Sequence, residues 1–269
     1  MPLDLRDRKV LLTGASRGIG AEIALALAER GAQLYLTARD VDALGEVAAA
    51  CEGAGAKVTC IAADLGRQDQ RARLIEEAGV PDILINNAGV EHTKALVDQS
   101  DGEVGAQLEL NLAAPIDLAR RVLPAMLDRQ SGIIVNVSSM SGKSATPYNS
   151  IYAATKHGLN GWSSSLRIEL LGTGVHVGVV CPSFVAGGMW GRTGLRAPLA
   201  LREVSMAKVV AGVMKVIGGA GEVLVTPGPI RPMLALRELF PGLEVPLMRA
   251  MGILRTLAQR AELSSRESA

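Results

Sequence analysis

The sequence predicts an α/β, doubly wound fold: a seven-stranded parallel sheet with helices on both faces. Two observations carry that expectation. Short apolar or β-branched runs alternate with longer segments of helical periodicity from Lys9 onwards, and the short runs are apolar along most of their length, as strands covered on both faces are. No Pro/Ser-rich linker interrupts the alternation before Pro227, so one unit over residues 1–226 is more economical than two.

The elements follow in order. "KVLLTG" leads into a helix over 18–30, and "QLYLTA" into one over 40–52 that Asp40 can cap. "KVTCIAAD" precedes 67–78, and "DILINNAG" precedes a helix over roughly 101–129. "GIIVNVSS" leads to 151–171, "VHVGVVCPS" to roughly 204–218, and "EVLVTP" closes the sheet. Residues 227–269 read as a helical extension, in which a helix over 247–258 places Leu247, Met251, Leu254 and Ala258 on one face. That face is expected to pack on the body, across the substrate cleft or on a partner, with peripheral contact to a membrane as the competing expectation.

Composition excludes several classes. A 48% hydrophobic share supports a substantial core, and a net charge of +1 with no Lys/Arg-rich run gives no footprint for nucleic acid. Charged residues in "MPLDLRDRKVLL" stand where an export signal would be apolar, so a cytoplasmic location is expected. The stretch 170–191 lacks charge but is broken by glycines and a proline, so no transmembrane segment is expected. Cys51, Cys60 and Cys181 form an odd set without a CxxC, which suits reduced, mostly buried thiols, and three scattered histidines give no metal site.

Between the first strand and the first helix stands "TGASRGIG", residues 13–20. Gly14 permits a tight turn, Gly18 a close backbone approach and Gly20 close helix packing, so a helix N-terminus can face a pyrophosphate in the manner of a Rossmann-type dinucleotide site. An NAD site would place an acid at the end of the second strand. Ala38 stands there, followed by Arg39, which together with Arg17 suits a 2′-phosphate, so NADP(H) is favoured. The alternative is NAD(H), with Asp40 as the ribose ligand.

"YAATK", residues 152–156, puts Tyr152 one helical turn before Lys156 on the same face. Two unit charges about 4 Å apart at an effective dielectric near 20 interact by roughly 4 kcal/mol, about 3 pKa units. Lys156 is thus expected to draw the Tyr152 phenol into working range.

With "TGASRGIG", "NNAG" (86–89), "NVSS" (136–139) and "YAATK" in this order, the sequence resembles the short-chain dehydrogenase/reductase family from residue 9 to about 226. The resemblance implies Tyr152 as acid/base, Lys156 as its partner and ligand of the nicotinamide ribose, and Ser139, rather than Ser138, as substrate anchor. It implies Asn111 as the residue that helps to hold a water linking Lys156 to solvent. For the cofactor it implies Ser16 and Ile19 beside the loop's Gly14, Arg17, Gly18 and Gly20, then Asp64 and Leu65 at the adenine. Asn87, Ala88 and Gly89 would line the adenosine ribose, with Pro182 and Val185 near the carboxamide. One departure is visible: Ser183 and Gly187 stand where relatives commonly have Gly and Thr in "PSFVAG".

The implied activity is hydride transfer between NADP(H) and a ketone or secondary alcohol, with a non-catalytic NADP(H)-binding sensor or scaffold as the alternative. Phe184, Met189, Trp190, Leu195 and Leu199 are expected to line an apolar pocket for a 3-oxoacyl or steroid-like substrate, and the glycines after 186 to let that loop act as a lid. The resemblance also implies a homodimer or homotetramer.

Overall fold

The computed structural model describes residues 4–189, 197 and 202–267, the last three without their side chains. Its first half runs β1 (Lys9–Thr13), α1 (Gly18–Ala28), β2 (Gln33–Ala38), α2 (Val41–Gly53), β3 (Val58–Ala62), α3 (Gln68–Ala78) and β4 (Ile83–Asn86). After β4 come α4 (Asp101–Leu108), a π-helical turn (Glu109–Ala113), α5 (Ala114–Asp128), β5 (Gly132–Val137) and α6 (Ser150–Glu169). β6 (Val175–Pro182), α7 (Met206–Ile217) and β7 (Glu222–Val225) complete the sheet.

The seven strands are parallel in the order β3-β2-β1-β4-β5-β6-β7, so the doubly wound expectation holds. Alternation along each strand divides the core in two. Val10 and Leu12 of β1 join the cluster under α1, α2 and α7, whereas Leu11 joins the one under α3, α5 and α6. Each fully buried Leu or Ile in these layers contributes about 1.5–3 kcal/mol of transfer free energy. Because the order reverses between β1 and β4, the loops after these two strands splay apart and leave a crevice at their carboxyl ends.

The helix expected over 101–129 is three pieces. Ser100 and Glu103 form a capping box on α4, the next five residues widen into the π turn, and α5 restarts with Pro115 in its first turn. The tail differs as well. It comprises α8 (Arg231–Leu239), α9 (Glu244–Ala250) and α10 (Ile253–Glu267), and Gly252, at φ 72°, breaks the single helix expected over 247–258. The break resets the helical phase, so Met248, Leu257 and Ala261 are the buried residues in place of Leu254 and Ala258. Of the cysteines, Cys51 and Cys181 are buried and Cys60 lies exposed on the edge strand β3. Among the described residues no helix is long and apolar enough to cross a membrane, and no cluster of His, Cys, Asp or Glu could hold a metal ion.

Candidate active site

A cavity of about 790 Å³ opens at the carboxyl ends of the strands. At one end lies the loop between β1 and α1. Gly14 and Gly18 adopt φ of 65° and 57°, and a Cβ on Gly20 would stand 2.0 Å from the Gly14 carbonyl oxygen. Around Gly18 there is open space, and no side chain caps the start of α1, so its first amides are left for a ligand. Thr13 fastens this loop to the segment after β4. Its hydroxyl accepts from the amides of Asn87 at 2.9 Å and Ala88 at 3.0 Å, while Asn87 Nδ2 donates to the carbonyls of Thr13 and Gly14, each at 3.0 Å.

Beside the loop, Arg17 and Arg39 line the cavity as exposed side chains with no hydrogen-bond or ion-pair partner among the described residues. Asp40, the alternative ribose ligand, is committed to capping α2, where it accepts from the Ala43 amide at 3.1 Å. The buried hydroxyls of Thr37 and Ser183, both in the cavity lining, have no hydrogen-bond partner among the described residues. A Cβ-free cradle, uncapped amides, two unpaired cations and orphan hydroxyls fit a dinucleotide phosphate.

In mid-cavity, hydrogen bonds between the end of β5 and α6 fix Tyr152 and Lys156. Asn136 donates to Ser163 at 2.8 Å, Ser138 to the Lys156 carbonyl at 3.4 Å, and Lys156 Nζ to the Val137 carbonyl at 3.0 Å. Ser138 is thereby turned onto the helix backbone. Ser139, on the other side of the strand end, accepts from the Ser141 amide at 3.1 Å and lines the cavity with Tyr152. Two hydroxyl-bearing residues thus line the same cavity, an arrangement that can hold a substrate oxygen and pass it a proton.

Burial, followed by the Glu91 carboxylate, raises the Tyr152 pKa, and the groups that draw it back down are Ser139 and Arg260. Helix register sets the Lys156 ammonium 5.5 Å from the centre of the phenol ring, with Nζ donating to the Val137 carbonyl at 3.0 Å. Burial also lowers Lys156 to about 8.

The structure gathers every cofactor residue expected from the sequence into the lining of this cavity, together with Ser139. Asn111 is the exception. It is fully buried behind Gly89, exchanging hydrogen bonds of 2.8 Å in both directions with the backbone of Val90. Of the expected substrate-side residues, Phe184 and Met189 line the cavity, while Trp190, Leu195 and Leu199, and Gly191 and Gly194 of the expected lid, lie outside the described residues.

Several lining residues had no sequence signal. Met233, Leu234, Met248 and Leu257 of the tail close the far end, and Glu91 pairs there with Arg260. Thr13 had a faint signal, a hydroxyl directly before the first glycine of the loop.

Comparison with known proteins agrees with this geometry. The ketoacyl reductase HetN of Nostoc sp. is 38% identical over 270 residues, covering 96% of this chain and 94% of its own, so most of the tail is inside the match. A short-chain dehydrogenase from Sphingobium yanoikuyae in complex with NADPH superposes with a TM-score of 0.75 at 32% identity, over 89% of this chain and 94% of that one. A metagenomic short-chain oxidoreductase in complex with NADP gives 0.71 at 33%, over 84% and 99%. Residues 8–196 match the family described as short chain dehydrogenase. With the parallel sheet, the glycine cradle and the Tyr152–Lys156 helix all within or beside that span, the chain belongs to the short-chain dehydrogenase/reductase family of oxidoreductases.

Proposed function

We propose that the protein is an NADP(H)-dependent oxidoreductase that transfers a hydride between the nicotinamide and a ketone or secondary alcohol, with a hydrophobic substrate of the 3-oxoacyl or steroid-like class. The observation that carries this reading is that Ser139, Tyr152 and Lys156 line one cavity, together with a glycine cradle and an apolar wall that includes Met233, Leu234 and Leu257. The NADP-bound relatives, and the name of the Nostoc relative as a ketoacyl reductase, support the cofactor and the substrate class.

In this reading Gly14, Ser16, Gly18, Ile19 and Gly20 cradle the pyrophosphate, and Arg17 and Arg39 take the 2′-phosphate. Asp64 and Leu65 face the adenine, and Asn87, Ala88 and Gly89 the ribose. Tyr152 and Lys156 hold the nicotinamide ribose, with Pro182 and Val185 beside the carboxamide. When bound, the cofactor supplies or accepts the hydride. Tyr152 carries the proton at its phenol oxygen and gives it to the carbonyl oxygen in reduction, while Ser139 donates a second hydrogen bond to the same oxygen. Lys156, lowered to about 8, keeps most of its charge at neutral pH. Because the Asn111 amide is tied to Val90, a water held between this residue and Lys156 would meet the Asn111 carbonyl.

Residues 1–226 then form the nucleotide-binding and catalytic body, and 227–269 a wall for the substrate. Assembly into a dimer or tetramer through α4, α5 and α6 belongs to the same proposal, with Leu108 and Ile168 exposed on these helices.

The test is a parallel titration with NADPH and NADH, followed by a screen of aliphatic, polycyclic and 3-oxoacyl thioester ketones for loss of cofactor absorbance. Tight NADPH binding with turnover is expected. NADPH binding without turnover of any ketone would favour the sensor alternative, and a preference for NADH would remove Arg39 from its role.

A further inference from the structure

We infer that Arg260, at the far end of the chain, is a positioning residue of the acid/base site: it balances the Glu91 carboxylate that faces Tyr152 and pins α10 across the substrate side of the cleft. This rests on the oxidoreductase reading above.

The geometry is specific. Arg260 Nη1 donates to Glu91 Oε1 and Nη2 to Oε2, both at 3.0 Å, a two-armed pair spanning 169 residues of sequence. The side chains are 11% and 9% exposed, so water screens the pair far less than it would on the surface. Glu91 also accepts from Asn149 Nδ2 at 2.6 Å, and Asn149 directly precedes α6, the helix that carries Tyr152. A continuous hydrogen-bonded chain thus runs from α10 through Glu91 to the N-terminus of the catalytic helix. Both ends of the ion pair line the cavity.

The charged and titratable groups that face the phenol come from four elements: Glu91 after β4, Lys156 on α6, Cys181 on β6 and Arg260 on α10. Burial pushes the Cys181 thiol up to about 12, which keeps it neutral. Glu91 is then the negative charge that opposes tyrosinate, and Arg260 is the group that offsets it. The tail is in this way electrically part of the site and not merely its wall.

Tyr35, Tyr148 and Tyr152 are the three tyrosines, so a Tyr35→Phe/Tyr148→Phe protein reports Tyr152 alone by tyrosinate absorbance. In that background, with saturating NADP+, Arg260→Ala is expected to raise the titration midpoint by about one pH unit and Glu91→Gln to lower it by about as much. The double variant should return close to the parent, and Arg260→Lys should stay near it. The pH limb of alcohol oxidation should move in the same directions. Midpoints that do not move, or that all move the same way as a loosened fold would cause, overturn the inference. If Arg260→Ala does not fold, Glu91→Gln decides: a lowered midpoint supports the inference, and an unmoved one overturns it. The titration needs no substrate, so it decides this point even in a protein that turns over no alcohol, whereas turnover persisting in Tyr152→Phe would sink the catalytic reading alone.

Discussion

The Lys156 ammonium stands 5.5 Å from the centre of the Tyr152 ring, held there by its bond to the Val137 carbonyl at 3.0 Å. Burial lowers its pKa from 10.5 to about 8, so the folded chain releases this proton before the unfolded chain does. Stability therefore climbs as pH rises from about 8 to about 10.5, and below that window the whole cost of burying the ammonium is present. Lys156→Met should thus stabilise the protein at pH 7 by about 1–3 kcal/mol, the linkage gain less one lost hydrogen bond, while abolishing turnover. Its advantage over the parent should shrink as the pH is raised towards 10. Thermal melts across that range check the sign: a lower melting point for Lys156→Met at pH 7 would mean that the ammonium is net stabilising.

Tyr152 is buried, and its pKa is raised, so the phenol keeps its proton throughout the neutral range. That suits an acid in carbonyl reduction, whose rate should be flat in pH from about 6 to about 8 as far as Tyr152 is concerned, whereas alcohol oxidation, which needs the tyrosinate, should rise with pH. Tyr152→Phe should lower kcat for reduction by about 10²–10⁴ and leave NADPH affinity within a few-fold. Steady-state kinetics beside a fluorescence titration separate the two effects, and retention of most turnover would remove Tyr152 from the acid/base role.

Thr13 and Asn87 make a second test of how the cleft is held open. Thr13 is 1% exposed, and its hydroxyl accepts from two amides while donating to the Ile85 carbonyl at 3.3 Å. Thr13→Val keeps the shape and strands both N–H groups, which should cost about 2–4 kcal/mol. NADPH binding should weaken with it, because the Asn87–Gly89 segment loses its anchor, and Thr13→Ser should restore both. Chemical denaturation of the three proteins reads the difference, and a valine variant as stable as the parent would show that water satisfies the amides.

What could be read in the sequence follows from how local each signal is. The seven strands were legible because burial on both faces makes them continuous apolar runs, and the glycine cradle because its φ values and close contacts exclude other residues. Register placed Tyr152 and Lys156 on one face, but it could not say that Nζ would turn to Val137. The π turn at Glu109–Ala113 left no periodic trace in so short a stretch. Glu91 and Arg260 were invisible, since nothing in either neighbourhood announces a partner 169 residues away. The helical character of the tail is legible, but its inward face depends on the φ of a single glycine.

Gly187 tests whether the departure from the common family pattern is a loss. Its φ is 72°, and a Cβ there would stand 2.9 Å from Met206 Cε, so this backbone does not suit a β-branched residue. Gly187→Thr is expected to destabilise the protein by about 1–3 kcal/mol with no gain in NADPH affinity. Tighter NADPH binding in that variant would show instead that the loop can adopt the conformation a threonine needs.

Arg39 and Asp40 are adjacent, yet they do different work. Asp40 is committed to the Ala43 amide, whereas the Arg39 guanidinium reaches the cavity rim without a partner among the described residues. Arg39→Ala should weaken NADPH binding about 10–100-fold, the loss of one charge-assisted phosphate contact, and leave NADH binding unchanged. Asp40→Ala should do the reverse of what a ribose ligand would do: cost about 1 kcal/mol of stability through the lost helix cap and leave NADH affinity where it was. Parallel titrations of both variants settle the assignment. If Asp40→Ala weakens NADH and Arg39→Ala spares NADPH, the acid is the ribose ligand, and the cofactor preference reverses.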